Sequence, residues 1–319
     1  MKALWSFRKC KEGNISRVDL ILSLFSVIKW KQFHPEHETY IYLDSEYMGE
    51  FQKYGLLQFW DNVELLESRD DIDVSKFWSI SKMEAFQKHK GKVVHVDNDF
   101  IPYCNLEDLG FFDCEMGVTM LEEVSKDEFA YIDPKEAAEF GGLKKDLYKW
   151  DDYADQCSIL YFDNDKLKNK FTKDFFKYAK EVTGKKTEHD GFGYILFIEQ
   201  KYLRELSKDM KVKKNYIVKD GYKLSTNTIL PDVANGKLPM EGITNYIYHY
   251  GPNKQLFETD LTMGTHLGIY ILPMINRPEL NPIFWNIYAG KPFVESKPTQ
   301  QPKSDDVGLL SKLFRKNKK

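Results

Sequence analysis

The stretch Val93 to Pro102, VVHVDNDFIP, constrains this chain more than any other. Lys92-Val93-Val94-His95-Val96 is its strongest strand signal, and it drives a greasy run straight into Asp97-Asn98-Asp99. Two carboxylates two residues apart at the mouth of a buried strand repel each other and lose hydration unless positive charge sits there. A hard divalent cation such as Mg2+ or Mn2+ answers that need, because it prefers carboxylate oxygens. The plainer alternative has Asp97 capping the strand and Asp99 as a solvated turn residue. The strand itself, and the alternation before it, favour a site.

That alternation runs through the first third of the chain. Ala3–Phe7 reads as a strand, and Ser16 can cap a helix over Val18–Trp30 that is apolar nearly all round and so should be buried. His34-Pro35 stops it, Tyr40–Leu43 is a second strand, and Val63–Leu66 a third. A helix over Phe77–His89, ended by Gly91, leads into the strand before Asp97. The order predicts an α/β domain with a largely parallel sheet and ligand positions at the strand C-termini. Further on, Ser158–Phe162 reads as a strand, Lys166–Val182 and Tyr194–Leu206 as helices, and Tyr246–Tyr250 as another strand.

Composition excludes several classes. Apolar residues at 42% rule out disorder across the whole chain, and 19 Gly with 12 Pro rule out a fibre. The 46 basic residues against 49 acidic ones, a net charge of −3, argue against a globally basic nucleic-acid binder. No run approaches the roughly 20 apolar residues of a bilayer span, and MKALWSFRKC lacks the h-region of a secretory leader. Cys10, Cys104, Cys114 and Cys157 show no metal spacing and read as reduced thiols, so a cytoplasmic location is expected. GxxxxGK[ST], GxGxxG after the first strand, GxSxG and HExxH are all absent.

Strand, helix, strand, helix, then Lys82 on a helix leading into VHVDND, resembles the nucleotide-sugar half of a GT-A glycosyltransferase. The nearest parallel is the glycogenin-like family, which includes bacterial lipooligosaccharide galactosyltransferases. The resemblance implies a GT-A-like α/β fold, with a Rossmann-type nucleotide-binding half and mixed central sheet, an acceptor-side α/β region and a short C-terminal tail. It implies that Asp97 and Asp99 hold Mn2+ or Mg2+, which holds the donor diphosphate, and that Lys82 faces the donor. Tyr248-His249-Tyr250-Gly251-Pro252-Asn253-Lys254 resembles the family's His-x-x-Gly-x-x-Lys motif, one residue short and without the usual following Pro-Trp. His249 would then be the third metal ligand and Lys254 a diphosphate contact. Glu199-Gln200 resembles the acidic-Gln pair behind the sugar pocket, and Asp190 sits in a polar loop that could approach the sugar. Cys157–Phe162 stands where such enzymes often read Asn-x-Gly, and this sequence has neither residue there.

The expected organisation is one domain over 1–294, divided into a donor half (1–103) and an acceptor and metal-closing half (104–294). A linker over 295–306 and a basic amphipathic tail over 307–319 follow. Ser6, Phe7, Arg8, Asp44 and Asn98 join the expected donor contacts. The expected activity is metal-dependent transfer of a sugar from a nucleotide sugar, a UDP-sugar first, to a glycan, lipid-linked or protein acceptor, with modified DNA behind these. The resemblance leans toward retention of anomeric configuration. A phosphoryl-transfer or nuclease-like enzyme drawing on Glu107, Asp108 and Asp113, and a non-catalytic nucleotide-sugar binder, are the alternatives. In the tail, Leu309, Leu310, Leu313 and Phe314 make an apolar stripe beside Lys312, Arg315, Lys316, Lys318 and Lys319, which suits peripheral contact with an anionic membrane face.

Overall fold

Alternation within the first strand sets the architecture. In β1 (Lys2–Phe7), Ala3, Trp5 and Phe7 enter one apolar cluster and Leu4 enters another, as the period of two requires. A strand apolar on both faces needs cover on both, and helices supply it. The computed structural model describes residues 1–10, 15–102, 104–123, 132–143, 150, 152–185, 191–218, 247–249 and 277–292.

After β1 come α1 (Arg17–Phe33), β2 (Glu38–Leu43), α2 (Ser45–Lys53), β3 (Asn62–Leu65), α3 (Ile80–Gln87) and β4 (Val93–Val96). Next are β5 (Phe100–Pro102), β6 (Met116–Glu123), the single turn α4 (Pro134–Ala137), β7 (Tyr153–Phe162) and α5 (Asp165–Thr183). A last long helix runs as α6 (Gly191–Leu196), a π-helical stretch over Phe197–Tyr202 and α7 (Leu203–Asp209). β8 (Lys214–Val218), β9 (Ile247–His249) and α8 (Asn281–Ala289) complete the described elements.

The main sheet is seven-stranded and mixed, in the order β3-β2-β1-β4-β7-β6-β8. β1 pairs in parallel with β2 and β4, and β2 with β3, so these four strands form the expected parallel half. β7 lies antiparallel to β4 and to β6, while β6 and β8 are parallel. Strands after residue 104 therefore extend the sheet begun by the first hundred residues. β5 leaves it and pairs antiparallel with β9.

Most of the sequence-predicted elements are found with shifted ends: β1, α1, β2, β7, α5 and the last long helix run longer than expected, while α3 and β4 are shorter. Ser16 caps α1, its Oγ accepting from Val18 N at 3.2 Å. The helix predicted over Phe77–His89 begins later, at Ile80, after a turn at Trp78 and Ser79, while Phe77 is buried ahead of it. The third strand is an edge, and Val63 and Leu65 stand exposed on it. Tyr246 and Tyr250 lie outside the described residues, as do Asp190, Lys254, the linker and the tail. No helix among the described residues is long and apolar enough to cross a membrane.

His89, just past α3, shows what burial does to a titrating group. Its Nε2 is 2.6 Å from the Tyr42 hydroxyl and its Nδ1 3.3 Å from Lys2 Nζ. Burial, and then the Lys2 and Lys168 ammonium groups, push its pKa down to about 4. Unfolding restores the ordinary value near 6.5, so the unfolded chain binds the proton first as pH falls. The stabilisation is complete above about pH 6.5 and is lost between there and about pH 4, at up to about 1.4 kcal/mol per pH unit. We expect His89→Gln to flatten the fall in the urea midpoint between pH 7 and pH 5. An undiminished slope in the variant would locate the pH dependence elsewhere.

Candidate functional site

The site is built around an almost wholly buried ammonium group. α3 carries Lys82 into the interior, where its side chain is 4% exposed. Its Nζ lies 2.6 Å from Glu199 Oε1, 2.9 Å from the Cys157 carbonyl oxygen and 2.9 Å from Asp97 Oδ1. Glu199 and the Cys157 carbonyl accept hydrogen bonds from the ammonium, and the Asp97 contact is an ion pair. Burial opposes its charge, but Asp97 and Glu199 outweigh burial and hold it protonated well above the ordinary lysine range.

Two of these partners, the Cys157 carbonyl and Glu199, are delivered by distortions of regular structure. Val118 pairs with Leu160 but Met120 pairs with Gln156, so two steps along β6 span four along β7. The Cys157 carbonyl within this bulge accepts from Lys82, while Asp97 N donates to the Ser158 carbonyl at 2.9 Å in continuation of the β4–β7 register. Polar side chains satisfy the disturbed ladder. Ile159 N donates to Thr119 Oγ1 at 3.1 Å, and Ser158 Oγ lies 2.7 Å from Thr119 Oγ1 and 2.8 Å from Gln156 Oε1. Glu199 comes from the π-helical stretch, a wider turn that often marks a functional position. Burial and the Glu199 charge together push the Cys157 thiol well above its usual range, so it stays protonated.

Asp97 closes β4, with its side chain 30% exposed. Burial opposes its ionisation, and Lys82, followed by the contact with His95, more than offsets it, leaving the carboxyl below its usual range. Its Oδ1 faces Lys82 and lies 3.4 Å from His95 Nδ1, while Oδ2 takes no hydrogen bond among the described residues. His95 Nε2 lies 2.8 Å from Ser6 Oγ, and burial holds the ring neutral, its pKa down to about 4. Asp99 is buried at 5% exposure. Asn98 turns away, its Nδ2 donating to Asp19 Oδ1 at 3.0 Å at the start of α1.

The strand after the acids is fixed in turn. Trp5 Nε1 donates to Ser26 Oγ at 2.9 Å, and Ser26 Oγ donates to the Phe100 carbonyl at 2.8 Å. Phe100 pairs with His249 across the β5–β9 ladder. The residue that follows Asp99 thus stands opposite His249 in register, although the two are far apart in sequence.

Of the residues singled out in the sequence, Lys82, Asp97 and Glu199 meet directly. Ser6 reaches them through His95. Arg8 is held at the end of β1 by Glu84 at 2.7 Å and the Glu67 carbonyl at 2.8 Å, with Nε buried and unpartnered. Phe7 packs in the core against Tyr47 and Phe51, and Asp44 caps α2 by accepting from Tyr47 N at 2.9 Å. Gln200 is half-buried on the π-helical stretch. Sequence reasoning missed the parts played by His95, Trp5 and Ser26, and by the carbonyls of Cys157 and Ser158. His95 and the interrupting Ser26 were visible as polar residues in greasy runs. The bulge left no such signal.

The buried charges are unequal in number. Asp97 and Glu199, when ionised, set two negative charges against the one positive charge of Lys82. Asp97 Oδ2 and the hard oxygen donors fit Mg2+ or Mn2+. Removing Lys82 should be costly, since it leaves two carboxylates facing each other. We expect Lys82→Met to cost on the order of 3–5 kcal/mol by urea denaturation. Pairing it with Glu199→Gln should recover part of the loss, and additive losses in that double-mutant cycle would mean the two groups do not interact.

No protein-family model matches the sequence, and no curated protein matches it. Among solved structures, the chain is similar to the apo form of the glycosyltransferase GlyE of Streptococcus pneumoniae, at 16% identity and a TM-score of 0.40, over 78% of this chain and 54% of that one. It thus spans about half the length of that protein. Mouse xyloside xylosyltransferase 1 aligns at 10% identity and a TM-score of 0.41, over 80% of this chain and 99% of that one. A nucleoside-diphosphate-sugar pyrophosphorylase from Vibrio cholerae aligns at 11% identity and 0.42, over 68% and 91%. At this level of likeness the chain's own residues, not its neighbours, carry the functional reading.

Proposed function

We propose that this chain is a metal-dependent glycosyltransferase of GT-A type, taking a sugar from a nucleotide-sugar donor. The observation that carries the reading is the β5–β9 ladder, which sets His249 opposite the residue next to Asp99. That register supports reading the Asp-x-Asp turn at the C-terminal end of β4 and the histidine of a distant segment as parts of one site. Those three residues would hold Mn2+ or Mg2+. Such an ion, when bound, supplies positive charge against the nucleoside diphosphate leaving group.

The chain's own groups divide the remaining work. Lys82 holds Asp97 ionised and oriented, with its charge spent inside the wall and not on open surface. Glu199 keeps Lys82 in place, and the neutral His95 links Asp97 to Ser6 at the end of β1. Arg8 has one buried N–H left to give at the same strand end. Lys254 and Asp190 remain proposed contacts of diphosphate and sugar. So do UDP as the carrier, a glycan, lipid-linked or protein acceptor, retention at the anomeric carbon, and tail contact with an anionic membrane. The phosphoryl-transfer alternative weakens, because Glu107 pairs with His37 beyond the far end of α1.

Incubation of the full chain with Mn2+ or Mg2+ and a panel of nucleotide sugars tests the proposal by nucleotide release. We expect release with one or two donors, abolished by EDTA. It should fall on the order of 100-fold or more in Asp97→Asn and Asp99→Asn, and at least about tenfold in His249→Ala. Donor binding without turnover under any acceptor condition would favour the non-catalytic reading. Cleavage of a phosphoester in place of sugar release would favour the phosphoryl-transfer enzyme.

A further inference from the structure

A second cluster of metal-binding side chains sits at the opposite end of α1. From Asp19, which holds Asn98, to His34 the helix climbs about 15 residues, or roughly 22 Å. There the sequence His34-Pro35-Glu36-His37 turns the corner into β2. Both histidines are buried, at 0% and 4% exposure. Their rings stack with centroids 4.9 Å apart and an 8° angle between planes, walled by Trp30 and Phe112.

Hydrogen bonding does not satisfy this pair. The Nδ1 atoms of both rings are buried without a partner. Leu106 N donates to His34 Nε2 at 3.4 Å. His37 Nε2 is approached by two carboxylates at once, Glu36 Oε1 at 3.2 Å and Glu107 Oε1 at 3.3 Å. One imidazole nitrogen carries at most one proton, so it makes a poor common partner for two anions. The ligand-capable atoms of His34, Glu36 and His37 all lie within 4.8 Å of one another.

Those distances suit an ion. Around a tetrahedral centre with bonds of about 2.0 Å, neighbouring donor atoms stand about 3.3 Å apart. Both nitrogen–oxygen separations at His37 match this already. Two imidazoles with carboxylates form a borderline donor set, suited to Zn2+ and its transition-metal neighbours rather than to Mg2+. Glu36 and Glu107 are half exposed, giving the ion a way in from solvent.

We propose that His34, Glu36 and His37 form a transition-metal site of the Zn2+ class, separate from Asp97 and Asp99, with Glu107 beside it at His37. The buried histidines at the α1–β2 corner, away from Asp97 and Asp99, suit an ion that holds structure together. It ties the α1–β2 corner to the loop that follows β5, which carries Leu106 and Glu107.

Untagged full-length protein, stripped with EDTA and dialysed, is titrated with Zn2+ alone against a colorimetric chelator. Visible absorption of the Co2+-loaded protein reports coordination geometry. We expect one Zn2+ per chain at this site, a raised melting temperature on loading, and tetrahedral Co2+ bands. Affinity should fall at least about tenfold in Glu36→Gln/Glu107→Gln, whose exposed side chains can change without unfolding the core, and further in His37→Gln. Asp97→Asn/Asp99→Asn should leave it unchanged, which separates this site from the proposed donor site. Absence of stoichiometric binding to the folded wild type would overturn the proposal. So would binding that persists in the Glu36/Glu107 variant and disappears with the Asp97/Asp99 pair.

Discussion

A lysine almost wholly buried must find acceptors, and the one in α3 draws on three separate parts of the chain. Lys82 joins the end of β4, the middle of β7 and the long helix after α5 at one point. Desolvating an ammonium and two carboxylates is expensive, and their attraction repays it only when geometry is close and each donor is used. The arrangement therefore contributes less to net stability than to position. It decides where the Asp97 carboxylate stands and keeps it ionised. The parallel half of the sheet and its antiparallel extension are held in register by the β4–β7 ladder. The Lys82 contact adds a tie between them beside the acid pair.

The second fixed point is the short relay from Trp5 through Ser26 to the Phe100 carbonyl. It runs from β1 through α1 to β5, the strand that pairs with β9. A polar line through an apolar layer is tolerable because each donor along it has an acceptor. The site thus rests on a buried ionic junction on one side of the acids and a neutral hydrogen-bond line on the other.

Much of the frame was legible in the sequence, since burial on both faces of β1 and β4 produces continuous apolar runs and α1 is greasy all round. The Asp-x-Asp turn stood out for the same reason, as charge where the pattern demanded none. The elements that escaped notice are the less periodic ones. α2 is short and buries only Phe51, β5 has three residues, and β6 and β8 follow loops without clear punctuation. Local residue types could suggest that Lys82 and Glu199 were special, but not that they touch. That contact depends on a bulge in β7 and a change of helical pitch, and both arise from tertiary packing that no short window records.

The change of pitch has an evolutionary edge. A π-helical turn accommodates one residue more than an α-helical turn over the same axial distance, and so it behaves as a stored insertion within α6–α7. Everything before it is rotated relative to everything after it by about 100°, the angle one residue subtends in an α-helix. Tyr202 and Leu206 keep their places in the core while Glu199 faces Lys82. Loss of a single residue anywhere within Phe197–Tyr202 would restore a regular helix and swing one of these faces away. Lineages of this fold that carry the uninterrupted helix would have to neutralise Lys82 by another route.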